Sequence, residues 1–307
     1  LVEKTITRAR EAEPVWRNIL NAYRRFASAE VSGARVRATY RDAVAETISD
    51  DEGHFQVRLQ SNLIDPVTLW HEVPLTLQGW GAGVLTGAVL GTTAHVLVPP
   101  PDARYGVISD IDDTVVKTDV TNLLRMLRLV FLTNARTRLP FEGVSAFYRA
   151  LHRGDAGETT NPIFYVSSSP WNLYDLLHEV FEVHGIPAGP LFLKDYGIAK
   201  EVLLSLGHRE HKLRSIEHIL QTHQDLPFVL VGDSGQKDPE IYREVAERFP
   251  GRIRAIYIRE VAESQVRDAE LHALQRELEA MGVPLVLAGD TVTAARHDAS
   301  LDLIDEL

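Results

Sequence analysis

Two spacings of hydrophobic residues divide the chain. From Glu30 to Pro101 the segments VSGARVRATY, AETISDDEGHFQVRLQ, VTLWHEVPLTL and VLTGAVLGTTAHVLV alternate apolar with polar residues between Gly, Asp and Pro turns. That is the period of half-buried strands, and it predicts a small all-β sandwich over residues 30–101. Pro99, Pro100 and Pro101 form a stiff linker. After them, apolar runs of strand type (YGVISDI, NPIFYVSSS, GPLFLKD, LPFVLVGDS, RIRAIYIRE, VPLVLAGD) alternate with segments of helical period (WNLYDLLHEVFEVHG, HKLRSIEHILQTH, PEIYREVAERF, AESQVRDAELHALQRELEAMG). Buried runs interleaved with amphipathic helices predict an α/β domain over residues 102–307, with a doubly wound, mostly parallel sheet. Ahead of both, residues 5–28 place Val15, Ile19, Leu20, Tyr23 and Phe26 at helical spacing among five arginines, so the N-terminal segment 1–29 reads as an amphipathic helix.

Charge and composition narrow this picture. Val73 to Pro101 carries no Asp, Glu, Lys or Arg, but its five Gly and four Pro punctuate it as strands and turns instead of a membrane span. The balance of 43 acidic against 32 basic residues gives a formal net charge of -11, which argues against a general nucleic-acid binder. The chain has no cysteine, so disulfides and thiolate metal sites are excluded. Residues 1–20 lack the apolar core of a secretory leader. The expectation is a cytoplasmic protein with no transmembrane segment, able to sit peripherally at an anionic membrane; the sequence leaves its oligomeric state open.

Chemistry gathers at strand ends. YGVISDIDDT delivers Asp110, Asp112 and Thr114; IFYVSSSPW delivers Ser167, Ser168 and Ser169; FVLVGDSGQKD delivers Asp233 and Asp238; Lys212 lies at the expected start of the preceding helix. Parallel strands present their carboxyl ends on one edge of the sheet, so groups distant in sequence can converge there. Carboxylates crowded together and buried repel one another, and need a cation or protonation to be tolerable. Oxygen ligands alone, without Cys or motif His, suit Mg²⁺ better than Zn²⁺. A carboxylate beside Mg²⁺ and a phosphate can act as nucleophile, and a second one two residues on can protonate the leaving oxygen and then deprotonate water.

Other readings compete at particular positions. Asp238 precedes Pro239, and Ser169 precedes Pro170, so each also fits a helix N-cap; this favours Ser167 over Ser168 as phosphate ligand. Asp113 reads as a local turn group. His184, His208 and His211 match no ligand spacing and read as surface or supporting histidines. Asp119 to Phe141, apolar but carrying Arg125, Arg128, Arg136 and Arg138, fits either a short cap over the site that grips an anionic lipid or a helix packed on the sheet. No long insertion separates the motifs, and a small cap implies an open site suited to a bulky or surface-bound phosphomonoester.

DIDDT, the serine strand end, Lys212 and GDSGQKD resemble, in order, the four motifs of the haloacid dehalogenase phosphatase superfamily. The resemblance implies Asp110 as nucleophile and Asp112 as general acid/base, with Thr114, Ser167 and Lys212 on the phosphoryl oxygens. Asp110, Asp112, Asp233 and Asp238 would hold Mg²⁺. More narrowly, DIDDTVVKT, FYVSSSPWNLY, HKLRSIEHIL and GDSGQKDPEIY resemble the catalytic domain of actin-patch-associated phosphatidate phosphatases and their bacterial relatives, over roughly residues 104 to 260. That implies a phosphatidate substrate. The alternatives are a phosphatase acting on a protein, sugar or nucleotide phosphate, and a non-catalytic module that docks phosphorylated or anionic partners. In the first region, TISDDEGHFQV resembles the strand, acidic turn and strand of transthyretin-like or carboxypeptidase-regulatory-like sandwiches.

Overall fold

A computed structural model describes residues 31–80, 90–111, 143–154, 160–194, 207–260 and 265–288. The expected N-terminal helix and the Asp119 to Phe141 segment lie outside the described residues, as do Asp112, Asp113 and Thr114. The chain divides into two compact units, Leu1–Pro101 and Asp102–Leu307.

In the first unit β1 (Ala34–Tyr40), β2 (Ala43–Ile48), β3 (Trp70–Trp80) and β4 (Gly91–Leu97) form an antiparallel sheet in the order β2-β1-β3-β4. Alternation sets which side chains go in: Ala34, Val36 and Ala38 of β1 are buried, while Arg37 faces outward and pairs across the ladder with Glu46. Among the described residues the unit has this one sheet, not the two a sandwich requires. The acidic turn forms, with Asp50 Oδ1 accepting from the Glu52 and His54 amides. The stretch after it, Phe55 to Gln60, keeps its alternating burial but joins no strand. A period of two reports a sided, extended chain; a strand also needs a neighbour with free backbone groups in register.

The second unit has a six-stranded parallel sheet. Its strands are β5 (Gly106–Ser109), β6 (Ile163–Pro170), β7 (Leu191–Lys194), β8 (Phe228–Asp233), β9 (Ile253–Arg259) and β10 (Leu285–Ala288), in the order β10-β9-β8-β5-β6-β7. β5 and β8 are buried at every position, as strands covered on both faces must be, which is why they read as unbroken apolar runs. The helices are α1 (Val144–Arg153), α2 (Tyr174–His184), α3 (Gly207–Thr222), α4 (Asp238–Arg248) and α5 (Gln265–Ala280). α1 buries Val144, Phe147, Tyr148 and Leu151 along one stripe. α2 buries Leu176, Leu177, Val180 and Phe181, and stops at Gly185, whose left-handed φ of 62° suits glycine. From β5 the chain winds outward through β6 and β7, then returns to the other side of β5 to lay down β8, β9 and β10. The switch point therefore falls between β5 and β8, where the connections diverge and leave a crevice at the carboxyl ends.

Candidate active site

Asp110 follows β5 and Asp233 ends β8, so these two carboxylates flank the switch point. The Asp110 amide bonds the Val231 carbonyl of β8 at 2.9 Å. Its own carbonyl accepts from Ser109 Oγ at 2.6 Å, and Ser109 Oγ in turn contacts the buried Tyr148 hydroxyl. With the Ser109 proton spent on Asp110, Tyr148 is the donor to Ser109. Burial, the larger effect, and the Asp110 charge push Tyr148 well above the ordinary phenol range, which keeps that proton in place.

Asp238 belongs to the same cluster. Its helix starts at Asp238, with Lys237 in the cap position and no side-chain cap bond. Asp238 therefore does not cap α4: one oxygen accepts from Lys212 Nζ at 2.6 Å and the other from the Asp233 amide at 3.3 Å. Gly232 makes room for this. A Cβ there would stand 2.7 Å from Asp238 Oδ2 and 2.8 Å from the Tyr242 ring, closer than atoms can pack. Lys212 also reaches Asp110 Oδ1 at 2.8 Å and Gln236 Oε1 at 3.2 Å. Asp110, Asp233, Asp238 and Lys212 are all between 0 and 3% exposed, so these are dry ionic contacts.

Carboxylate oxygens of Asp110, Asp233 and Asp238 lie within 4.8 Å of one another. Burial alone would lower the Lys212 pKa, but the Asp110 and Asp238 charges outweigh it and hold the ammonium well above its usual range. One ammonium against three carboxylates leaves the cluster short of positive charge, and Asp233 shows the deficit: burial first, then Asp238, push it up to about 7. Its Oδ1 accepts from the Gly235 and Gln236 amides at 2.7 and 2.9 Å, whereas its buried Oδ2 accepts no hydrogen bond. An all-oxygen donor set with excess negative charge and an uncommitted buried carboxylate oxygen fits a hard divalent cation.

The serines stand one strand away. Ser109 of β5 pairs with Tyr165 of β6, so Ser167 lies at the carboxyl end of the neighbouring strand. Ser167 is buried, and its Oγ accepts the Ser169 amide at 2.9 Å. Ser169 is not a helix cap: it lies within β6, and the short 3-10 turn Trp171–Leu173 begins after Pro170, which still pairs with Lys194 of β7. Lys212 is not at a helix start either. α3 opens five residues earlier, at Gly207, with Glu210 in its first turn paired to Arg214 one turn on, an arrangement that favours helix there. His211 is half-buried, its Nε2 3.4 Å from the Phe192 carbonyl; burial holds its imidazole below the usual range. Neither His184 nor His211 joins the acidic cluster, and the His208 side chain is outside the described residues.

Sequence reasoning passed over Lys194, buried at the end of β7, where a Cβ on Gly207 would lie 2.6 Å from its Nζ. A polar residue closing an apolar strand was the available signal. It also passed over Arg267 of α5, for which no local signal exists.

Residues 105–260 match the family described as the phosphatidate phosphatase APP1 catalytic domain. The chain belongs to this family. The matched span runs from the start of β5 to the end of β9 and so contains every residue of the acidic cluster. Over 157 residues the chain is 40% identical to the phosphatidate phosphatase APP1 of Saccharomyces cerevisiae and 32% identical to an uncharacterised protein of Schizosaccharomyces pombe. Each match takes in 50% of this chain and 25% of the relative, so the shared part is a quarter of the length of either yeast protein. A mutant PilB minor pilin from Streptococcus sanguinis aligns over 89% of this chain and 87% of its own, at 10% identity and a TM-score of 0.32, too slight a likeness to bear on the fold.

Proposed function

We propose that the chain is a Mg²⁺-dependent phosphomonoester phosphatase of haloacid-dehalogenase-like architecture, acting through an aspartyl-phosphate, with phosphatidate as substrate and diacylglycerol and phosphate as products. The observation that carries this reading is the convergence of Asp110, Asp233, Asp238 and Lys212, all buried, at the β5/β8 switch point. Membership of the APP1 catalytic-domain family supports the substrate class.

Asp110 attacks phosphorus through a carboxylate oxygen as the bond to the leaving alcohol breaks. Asp112, two residues further on, supplies the proton that the alcohol oxygen takes up. Asp112 then receives a proton from water as that water displaces Asp110 from phosphorus, which restores the free carboxylate and releases phosphate. Lys212, already beside Asp110, sets positive charge against the phosphoryl oxygens, with Ser167 and Thr114 as hydroxyl donors to them. Asp110, Asp112, Asp233 and Asp238 would hold the cation. Bound there, Mg²⁺ would neutralise charge on the transferring group. The roles of Asp112 and Thr114 rest on the motif, since both lie outside the described residues. The sheet of the first unit would be a scaffold or interaction module that precedes, along the chain, a phosphatase domain beginning at residue 102. No helix among the described residues is long and apolar enough to cross a membrane.

The test is phosphate release from dispersed phosphatidate with and without Mg²⁺, run beside a panel of soluble phosphomonoesters. Mg²⁺-dependent turnover of phosphatidate is expected. Turnover of a sugar, nucleotide or protein phosphate with phosphatidate inert would move the substrate assignment. No release from any ester would leave a binding module.

A further inference from the structure

Two of the site's acidic residues, Asp233 and Asp238, flank a loop that is gripped from outside. Arg267, on α5 and beyond the span shared with the family, is largely buried, its side chain 16% exposed. Its Nε donates to the Ser234 carbonyl at 3.1 Å and its Nη2 to the Gln236 carbonyl at 3.1 Å. Its two terminal nitrogens also meet the two oxygens of Glu240, at 2.5 and 3.2 Å. Glu240 lies in the first turn of α4, two residues after Asp238. One planar guanidinium thus ties the loop after Asp233 to the helix turn that carries Asp238. The inner side of the same loop donates the Gly235 and Gln236 amides to Asp233 Oδ1, and Gln236 Oε1 accepts from Lys212. Gln236 is therefore held by Asp233 through its amide and by Arg267 through its carbonyl.

We infer that Arg267 is a positioning residue for divalent-cation binding: it fixes the Ser234–Gln236 loop so that Asp233 spends one oxygen on the loop amides and keeps the other for the cation. This rests on the reading of the acidic cluster as a cation centre. Without the guanidinium the Ser234 and Gln236 carbonyls lose their shared donor, and the loop can turn its amides away from Asp233. The spacing of Asp233 and Asp238 then has to be set anew each time a cation binds.

Titration calorimetry of Mg²⁺ into the full chain measures this without reference to turnover. Arg267→Gln is expected to weaken Mg²⁺ binding about 10-fold, the scale for residues that orient metal ligands. Arg267→Lys keeps a charge for Glu240, but an ammonium cannot bridge both carbonyls and a carboxylate, so weakening of about 3-fold or more is expected. That variant carries the test if Arg267→Gln does not fold. Phosphate release by either variant should be most impaired at limiting Mg²⁺, and the deficit should shrink as Mg²⁺ is raised. Variants that lose urea resistance yet bind Mg²⁺ as tightly as the parent would reduce Arg267 to a structural tie and overturn the inference. A parent chain that binds no Mg²⁺ would overturn the cation reading together with it.

Discussion

The two sheets treat charge in opposite ways. The antiparallel sheet keeps its ion pair in water: Arg37 and Glu46 sit opposite each other with side chains 47% and 55% exposed. The parallel-sheet unit buries two lysines, Lys194 and Lys212, and three carboxylates at the carboxyl ends of its strands. An exposed pair gains little because water screens it, and costs little to lose. A buried cluster costs much to desolvate, and a purely structural role would be served more cheaply by apolar side chains. The contrast supports the proposal that chemistry is done at the parallel edge and not on the antiparallel face.

Substitutions can sharpen that contrast or erase it. Asp110→Asn keeps the shape of the side chain but removes the proposed nucleophile, so phosphate release should fall at least about a thousand-fold; activity that survives would sink the proposed mechanism. Lys212→Met leaves Asp110 and Asp238 buried without their cation, and should cost about 3–5 kcal/mol of stability in metal-free protein, read by urea unfolding. A small change would mean that the carboxylates are already protonated or hydrated.

Acid should act more gently on the second unit. Burial holds His152 and His223 below the ordinary value of 6.5. At these two sites the unfolded chain just below pH 6.5 binds protons that the folded chain refuses, so they lower stability as pH falls through that value, as does His211. Asp233, raised to about 7, is protonated on folding and works the other way. Thermal melts of the parent beside His152→Asn with His223→Asn isolate the histidine share: the double variant should lose less stability than the parent as pH falls through this window. The smallest effect is expected in the antiparallel sheet, where Arg37→Ala should change stability by less than about 1 kcal/mol and leave phosphate release unaltered.

How far the sequence discloses this molecule depends on how local each cause is. β5 and β8 are legible because strands covered on both faces leave unbroken apolar runs, and Asp110 and Asp233 because each carboxylate stands where such a run stops. Phe55 to Gln60 misleads because alternation records which side is buried but not whether a partner strand is present. Lys212 is legible as a residue but not by position in its helix, since helix starts fray and His208 to His211 bear no distinct stop signal. Asp238 resembles a cap because Asp-Pro is a good helix opening; the resemblance of GDSGQKD to a phosphatase motif suggests the other use, and the contact with Lys212 brings it into the cluster. Arg267 cannot be read at all, because its partners at Ser234, Gln236 and Glu240 are backbone carbonyls and a carboxylate brought near by the docking of α5.

The double ion pair of Lys212 also has a bearing on the order of assembly. Asp110 is translated early, with β5, while its ammonium partner comes with α3 and the loop that completes the cluster comes after β8. Until β8 docks, β5 is the edge strand of a β5, β6 and β7 sheet and Asp110 stays in water; the docking that buries it also brings Asp233 and Asp238 against it, so the first half of the domain has reason to stay open. Completion of the site and closure of the fold are then a single late event, and a nascent chain cut short of β8 should be caught by proteases.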